Sequence, residues 1–319
     1  TAGPPAREAV SGTVSGEALN GTSGEPVVGI NITLFSAFSD EGPLFSISAA
    51  TDSSGAFKFE DVELNPDWIY LAAAEFDGVR YSSMPAVPAD AGTNLFLQLL
   101  VYESTTDVND LSINRLHLAF DFLKPGYVRV GELWVLDNDS SFSSVPPGGL
   151  AVHLPAGFSD LEVDPAAGSD LTVTDDGFLV EKPFLPGSDA GSLMFSYSLP
   201  YKRSLSFSHH YPLPVNSGTV LVPAGGITLE SSRLTSSEMV NLSGTSVQTY
   251  SLADLPEGET LQLQLNGSAP GTGVLSHSRP AHLAAGAAML LLACLYAWHV
   301  FRSHDGRFHS SDATMPGSY

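Results

Sequence analysis

Cysteine and basic residues are what this sequence has least of. The 319-residue chain contains one cysteine, Cys294, which excludes an intrachain disulfide and any cysteine-based zinc, iron–sulfur or haem-attachment motif. Lysine and arginine number 13 against 35 acidic residues, which gives a formal net charge of −22. Because such a chain is repelled by nucleic acid, we expect no nucleic-acid partner.

Familiar enzyme motifs are absent as well. The sequence has no HExxH, GxSxG, P-loop or GxGxxG pattern. The adjacent His209 and His210 would point to opposite faces of a strand, so they are not expected to chelate one metal. The Asp137–Asp139 segment offers oxygen ligands for calcium but lacks EF-hand spacing, and turn capping is the preferred interpretation. We therefore predict no catalytic residue, no metal ligand and no cofactor.

What the sequence has in abundance is strand-and-turn composition. Hydrophobic residues make up 43% of the chain and charged residues 15%, with 30 glycines and 22 prolines. Short apolar segments recur at roughly 8–12-residue spacing with Gly and Pro between them, which is typical of β-sandwiches. The predicted fold class is therefore all-β: tandem Greek-key β-sandwich domains followed by a single C-terminal transmembrane helix. The predicted domains span 9–104 and 111–267, after a flexible N-terminal segment, 1–8.

The first region alternates apolar and polar residues clearly. Residues 27–38 place Val28, Ile32 and Leu34 on one predicted strand face. The segment T-D-S-S-G-A-F-K-F, residues 51–59, predicts a tight turn between two strands. Asp52 would cap this turn, Gly55 would tolerate a positive φ, and Phe57 and Phe59 would share a core-facing side.

These motifs carry a resemblance to a known family. With G-T-V at 12–14 and E-P-V-V-G-I-N-I-T-L at 25–34, the stretch from about 10 to 102 resembles a carboxypeptidase regulatory-like domain, also described as transthyretin-like or prealbumin-like. The resemblance implies a seven-stranded Greek-key sandwich with the 51–59 motif as a hairpin. It covers under a third of the chain, and it implies no catalytic residues because that family shares none.

The second region, 111–267, is read as one or two further sandwich units. Residues 114–122 and 127–138 predict a β-hairpin with its turn at Pro125-Gly126. In the second strand the apolar parity changes between Val130 and Leu133. We expect a bulge there, for which Gly131 is suited.

The longest apolar run lies near the C-terminus. Residues 281–301 reach the about 20 apolar residues that a helix needs to cross a bilayer, which favours a transmembrane span over a buried helix of a soluble domain. The predicted anchor residues are Leu283, Leu290, Leu291, Leu292, Tyr296, Trp298 and Phe301. Residues 268–280 form the predicted linker and 302–319 a short cytoplasmic tail. The chain begins at Thr1 without a leader, from which we expect a removed signal peptide and an extracytoplasmic N-terminal part.

Three functional hypotheses follow. The leading one is a non-catalytic, membrane-anchored extracytoplasmic protein that serves as an accessory subunit or interaction module, with the lipid bilayer and other proteins as partners. A carbohydrate- or cell-wall-binding module is the alternative. It would need exposed aromatic side chains, for which the candidates are Trp68, Tyr70, Tyr81, Trp134 and Tyr211. A hydrolase with an unrecognised site is the third.

Overall fold

The computed structural model describes residues 9–37, 43–89, 92–122, 124–164, 170–242 and 245–268. This part of the chain is all-β, as predicted. The strands of the first half are β1 (Val10–Asn20), β2 (Asn31–Ala37), β3 (Pro43–Ala50), β4 (Ala56–Leu64), β5 (Ile69–Phe76), β6 (Val79–Ser82), β7 (Asn94–Val101), β8 (Ser104–Thr105), β9 (Leu111–Asp121), β10 (Tyr127–Asn138) and β11 (Ser143–Ser144). The second half contains β12 (Leu150–His153), β13 (Ser159–Val163), β14 (Leu171–Thr174), β15 (Gly177–Val180), β16 (Gly187–Pro200), β17 (Ser204–His210), β18 (Gly218–Pro223), β19 (Ile227–Glu230), β20 (Leu234–Leu242), β21 (Thr245–Leu252) and β22 (Thr260–Gly267).

The chain divides into two compact units. Of the described residues, those within 1–110, 138–147 and 183–188 form unit 1, and those within 111–137, 148–182 and 189–268 form unit 2. The change from the first unit to the second thus falls at Asp110/Leu111. Most of the second region, 111–267, lies in unit 2, whereas 138–147 and 183–188 lie in unit 1.

Unit 1 is a sandwich of two sheets. One has the strand order β4-β1-β7 and the other β3-β2-β5-β6. Within the first sheet β1 runs antiparallel to β4 and parallel to β7. Inward side chains of both sheets form one core, including Val14, Ile32, Leu34, Leu97 and Leu99, all at most 2% exposed. Membership of the family that the sequence resembles stays a prediction.

The β2 strand is shorter than its alternation suggested. It begins at Asn31, because Gly29 has a φ of 75° and turns the chain before the strand starts. Ile32 and Leu34 are fully buried as expected, and Ser36 continues their face. Val28, which the sequence placed on that face, is 58% exposed, so that assignment was wrong.

The turn at residues 51–56 has the predicted chemistry. The Asp52 carboxylate accepts hydrogen bonds from the Ser54 and Ala56 backbone N–H groups at 2.8 and 3.0 Å. Together with the Ser54 hydroxyl, these donors lower the pKa of Asp52. Gly55 has a φ of 77°, and Phe57 and Phe59 are 3% and 5% exposed in the core.

Gly55 should be intolerant of any side chain. Besides its positive φ, an added Cβ would lie 2.8 Å from the Ala18 carbonyl oxygen and 2.9 Å from Pro26 Cβ. Gly24 has nearly the same φ, 78°, but its Cβ would meet nothing within 4 Å. We expect Gly24→Ala to cost about 1 kcal/mol of stability through its backbone alone, and Gly55→Ala about 2–4 kcal/mol. Urea unfolding of both variants measures the difference, and equal costs would contradict the close approach.

Unit 2 is built on a seven-stranded sheet of order β13-β16-β10-β9-β18-β21-β20. Two three-stranded sheets, β17-β22-β19 and β12-β15-β14, complete it. The β9–β10 hairpin is present, with Gly126 at a φ of 84° in its turn. Residues Val130 to Leu136 of β10 are buried on both faces of the strand. Because both faces are buried, apolar residues of either parity fit in β10, and the bulge expected at Gly131 stays a prediction.

Two short segments from later in the chain belong to unit 1. Strand β11 pairs in parallel with β8, and the Tyr81 hydroxyl lies 2.8 Å from the Ser143 hydroxyl. Asn138, which is 1% exposed, donates to the carbonyl oxygens of Phe142 and Phe184 at 2.9 and 2.8 Å. These contacts join residues far apart in sequence into one unit.

Candidate functional site

A buried polar cluster lies in the core of unit 2, and we call it the Glu132 cluster. Each member points its side chain into the interior of unit 2. The members are Glu132 and Trp134 on β10, Tyr197 on β16, His209 on β17 and Tyr211 just after β17. Since side chains two residues apart share a strand face, the patterns E-x-W and H-x-Y each direct both members inward. His210 lies between two of them and is exposed, as the alternation predicted.

The Glu132 carboxylate accepts four hydrogen bonds. Its Oε1 receives the Tyr197 hydroxyl at 2.7 Å and lies 2.9 Å from His209 Nδ1. Its Oε2 receives Trp134 Nε1 at 2.9 Å and the Tyr211 hydroxyl at 3.3 Å. A carboxylate has about four acceptor positions, so this one is saturated by the protein.

The surroundings of the carboxylate favour its charged form. Burial by itself raises the pKa of Glu132, but the attraction of His209 and the hydrogen bonds from His209, Tyr197 and Trp134 together lower it below its ordinary value. Burial and the nearby negative charge raise the pKa of Tyr197 and of Tyr211 well above the usual range. Both tyrosines therefore remain protonated and act as donors.

Aromatic packing closes this site. The Trp134 ring meets Phe195 and Tyr211, each at a centroid distance of 5.4 Å, and the His209 ring lies 4.3 Å from that of Tyr211. The side chains of Glu132 and His209 are both 0% exposed. His209 Nε2 is buried and has no hydrogen-bond partner among the described residues.

Glu132 and His209 are residue types that often act in acid–base catalysis, but their arrangement here stabilises the core of unit 2. A general base or metal ligand needs a free lone pair within reach of substrate or ion. Here the carboxylate has no such position, and water is excluded from it. The cluster ties the seven-stranded sheet to strand β17. Sequence reasoning missed it, and the signal available was the repeated spacing of Glu132/Trp134, Phe195/Tyr197 and Phe207/His209/Tyr211.

The aromatic residues proposed for sugar stacking do not form an exposed stripe. Tyr70, Tyr81, Trp134 and Tyr211 are at most 2% exposed. Trp68 is partly buried and packs against Phe45 and Tyr70. Tyr70 uses its hydroxyl to donate to the Glu63 carbonyl oxygen at 2.7 Å, as expected of a buried tyrosine. The carbohydrate-binding hypothesis therefore loses the residues on which it depended.

Asp137 and Asn138 end strand β10, and the Asn138 side chain caps the bend that follows. Asn138 Oδ1 accepts from the Ser140 backbone N–H at 3.1 Å and from its hydroxyl at 2.7 Å, while its amide nitrogen is bound to carbonyl groups. The capping interpretation thus describes this segment. Within the described ranges, no group of three or more His, Cys, Asp or Glu residues could hold a metal ion.

Two shallow grooves lie on outward sheet faces, one in each unit. The groove of unit 1, of about 700 Å³, is lined by apolar, polar and charged residues that include Thr33, Phe35, Leu71, Glu75 and Arg80. The groove of unit 2, of about 470 Å³, is lined by hydroxyl and amide groups: Ser206, Ser208, Gln262, Gln264 and others. Both grooves face solvent, unlike the Glu132 cluster.

The predicted anchor residues, from Leu283 to Phe301, lie outside the described residues. Among the residues that the structure does describe, no helix is both long and apolar enough to cross a bilayer. Membrane anchoring is therefore a prediction from the sequence. The fold-motif residues Asp52, Gly55, Phe57 and Phe59 do come together, in unit 1.

Comparison with known proteins assigns the chain to no family. No protein-family model matches it, and no curated protein matches it. The solved structures that it matches include major pilins.

Three of these pilin structures show how distant the matches are. SpaD of Corynebacterium diphtheriae is 12% identical, with 84% of this chain and 89% of that chain covered and a TM-score of 0.25. SpaA of the same organism is 13% identical, with 82% and 89% covered and a TM-score of 0.21. BcpA of Bacillus cereus is 11% identical, with 79% and 88% covered and a TM-score of 0.20. These scores are too low for any conclusion about family or function.

Proposed function

We propose that this chain is a non-catalytic, extracytoplasmic interaction subunit held to a membrane by residues 281–301. The proposal that the chain is non-catalytic rests on the complete burial and hydrogen bonding of the Glu132 cluster. This cluster places acid–base residue types together, and its carboxylate is saturated by four donors and fully buried. These residues therefore stabilise the fold instead of offering a reaction site.

The cores of the two units suit an extracytoplasmic setting. A secreted domain without disulfides must be stabilised by its hydrophobic interior. Unit 1 packs a continuous core between its two sheets, and unit 2 buries large aromatic side chains such as Trp134, Tyr197 and Phe207. The single cysteine is thus no obstacle to stability outside the cytoplasm.

The interaction role is supported by the outward surfaces. The lining of the unit 1 groove combines the apolar residues Phe35 and Leu71 with the charged residues Glu75 and Arg80. Partly exposed apolar surface rimmed by polar groups is characteristic of protein contact sites. The polar groove of unit 2 offers hydrogen-bonding groups to a partner.

Membrane anchoring can be tested with the full chain. We expect the protein to enter the detergent phase in Triton X-114 partitioning and the double variant Leu291→Arg/Leu292→Arg to shift to the aqueous phase. Each arginine at a helix centre costs about 2.5–3.5 kcal/mol of insertion. A matched control, Ser303→Arg/Ser310→Arg, adds the same charge outside the span and should partition like the parent. A parent protein that stays in the aqueous phase would show that 281–301 is not an anchor.

The interaction role is tested separately by affinity purification from gently solubilised membranes followed by mass spectrometry. We expect specific co-purifying proteins. Recovery of the chain without any other protein would contradict a subunit of a larger assembly.

A further inference from the structure

The two edges of the β4-β1-β7 sheet are built very differently. Strand β4 carries the exposed charged residues Lys58, Glu60, Asp61 and Glu63. Asp61 has a φ of 55°, and the β1–β4 register shifts between Gly12 and Val14. Charges and a bulge on an edge strand prevent it from pairing with another chain.

Strand β7, at the opposite edge, has none of these features. Its eight residues, N-L-F-L-Q-L-L-V, include no charge, no proline and no glycine. Its register with β1 is regular from Thr13↔Asn94 to Asn20↔Val101. Two apolar side chains on its outward face are exposed, Phe96 by 60% and Leu100 by 42%. A long, regular, uncharged and apolar edge is a template for strand addition.

The hydrogen-bonding direction of β7 fixes how an added strand would align. Thr13 N–H donates to the Thr93 carbonyl at 2.8 Å and Gly21 N–H to the Val101 carbonyl at 2.7 Å. The odd-numbered residues thus direct their backbone groups toward β1. In a strand, alternate residues direct these groups to opposite sides. Phe96, Gln98 and Leu100 therefore present their N–H and C=O groups along the outer edge, and their side chains on the outward face.

We propose that β7 pairs antiparallel with β7 of a second copy of this chain, about a two-fold axis at Gln98. This inference rests on the proposed function, since it names one partner of the assembly. A two-fold axis at Gln98 places Gln98 opposite its counterpart, and it places Phe96 opposite Leu100 of the other copy on each side. All of these positions have outward backbone groups, so they form hydrogen-bonded antiparallel pairs. The two exposed apolar side chains cover each other in both halves of the interface.

Symmetry favours a second copy over an unrelated peptide. Copies of a chain with a net charge of −22 repel each other over most of their surface, and β7 itself contains no charged residue. Glu17, one strand inward, accepts a hydrogen bond from Gln98 Nε2 at 2.9 Å. The spacing of Phe96 and Leu100 about Gln98 is self-complementary, as a two-fold interface requires.

Cysteine cross-linking of the full chain in membranes tests the pairing. In a Cys294→Ser background, Gln98→Cys places two thiols on the axis, where Cα atoms about 5.5 Å apart lie within disulfide range. Glu60→Cys on the charged edge of the same sheet is the matched control. We expect copper-phenanthroline oxidation to give at least about tenfold more dimer at position 98 than at position 60. Adding Phe96→Glu to the Gln98→Cys protein should reduce that yield at least about fivefold, with an unchanged far-UV circular dichroism spectrum because Phe96 lies at the surface of its own unit.

Equal cross-linking at the two positions, or none at either, would overturn the pairing. So would a Phe96→Glu variant that loses a co-purifying protein while dimer yield is unaffected. The outcome is separable from that of the proposed function. Co-purifying proteins without a cross-linked dimer at position 98 would support the subunit role and contradict the self-pairing. A cross-linked dimer at position 98 without co-purifying proteins would support the self-pairing and contradict the subunit role.

Discussion

Replacing Glu132 with glutamine is expected to destabilise the protein by about 3 kcal/mol or more, because buried hydrogen-bond donors then lose a charged acceptor. The amide nitrogen of the substituted side chain would occupy the position of either Oε1 or Oε2. An amide nitrogen at the Oε1 position would face the donor groups of Tyr197 and His209. At the Oε2 position it would face the donor groups of Trp134 and Tyr211. A tyrosine hydroxyl can rotate to accept, but the Trp134 N–H can only donate.

The matched control for this variant is Glu259→Gln in the same unit. Glu259 forms an ion pair with Arg233 at the surface, where the two side chains are 46% and 32% exposed. Surface pairs of this kind contribute about 0–1 kcal/mol. Urea unfolding followed by circular dichroism compares the two substitutions. A Glu132→Gln protein as stable as the Glu259→Gln protein would show that the Glu132 cluster does not hold the core together.

The same substitution should change how stability depends on pH. The pKa of Glu132 is lowered in the folded protein from an ordinary value of 4.5. The folded state therefore binds its proton less readily than the unfolded state, so this carboxylate stabilises the fold above about pH 4.5. That contribution is lost as the pH falls from there through the lower, folded-state pKa. We expect the stability difference between the parent and Glu132→Gln to shrink between about pH 7 and about pH 3. A constant difference would contradict an ionised carboxylate.

Replacing Phe57 with alanine is the second substitution with a large expected effect, a loss of about 3–5 kcal/mol. Phe57 is 3% exposed, and its ring lies 6.0 Å from that of Phe59 in the core of unit 1. The ring also fills the space above Gly16, where an added Cβ would collide with it. A cavity at this position has rigid strands on both sides and little room to collapse.

Phe96→Ala is the control, because it removes the same side chain from the same sheet. Phe96 is 60% exposed in the single chain, so its loss should change the stability of the dilute, unpaired protein by no more than about 0.5 kcal/mol. Thermal unfolding of the two variants measures the contrast. If both substitutions destabilised the protein equally, the assignment of inward and outward faces in this sheet would be wrong.

Turns and side-chain directions could be predicted from the sequence where they depend only on residues adjacent in the chain. The turn of Asp52 and Gly55 follows from hydrogen bonds and a backbone angle within five residues. The opposite orientations of His209 and His210 follow from the geometry of a strand. Val28 was misplaced because alternation continues past Gly29, whose positive φ interrupts the strand.

The Glu132 cluster is different because its environment comes from three strands. Residues of β10 alternate between its two faces. From the sequence we expected Leu133 and Val135 to lie on the core-facing side after a bulge. Which face is buried depends on what covers it, and both faces of β10 are covered in unit 2. A buried glutamate is then stable only because Tyr197, His209 and Tyr211 arrive from other strands to donate to it.

The sequence by itself determined the all-β class, the places of many turns and the absence of a disulfide framework, since these depend on composition and local periodicity. Only the tertiary structure decided that residues 138–147 and 183–188 belong to unit 1, that Glu132 is fully buried, and that β7 is an uncharged edge on the opposite side of its sheet from the charged strand β4. The physical reason is that burial, pairing and edge position belong to contacts between distant segments, and the free energy of those contacts is not encoded in any one stretch of chain.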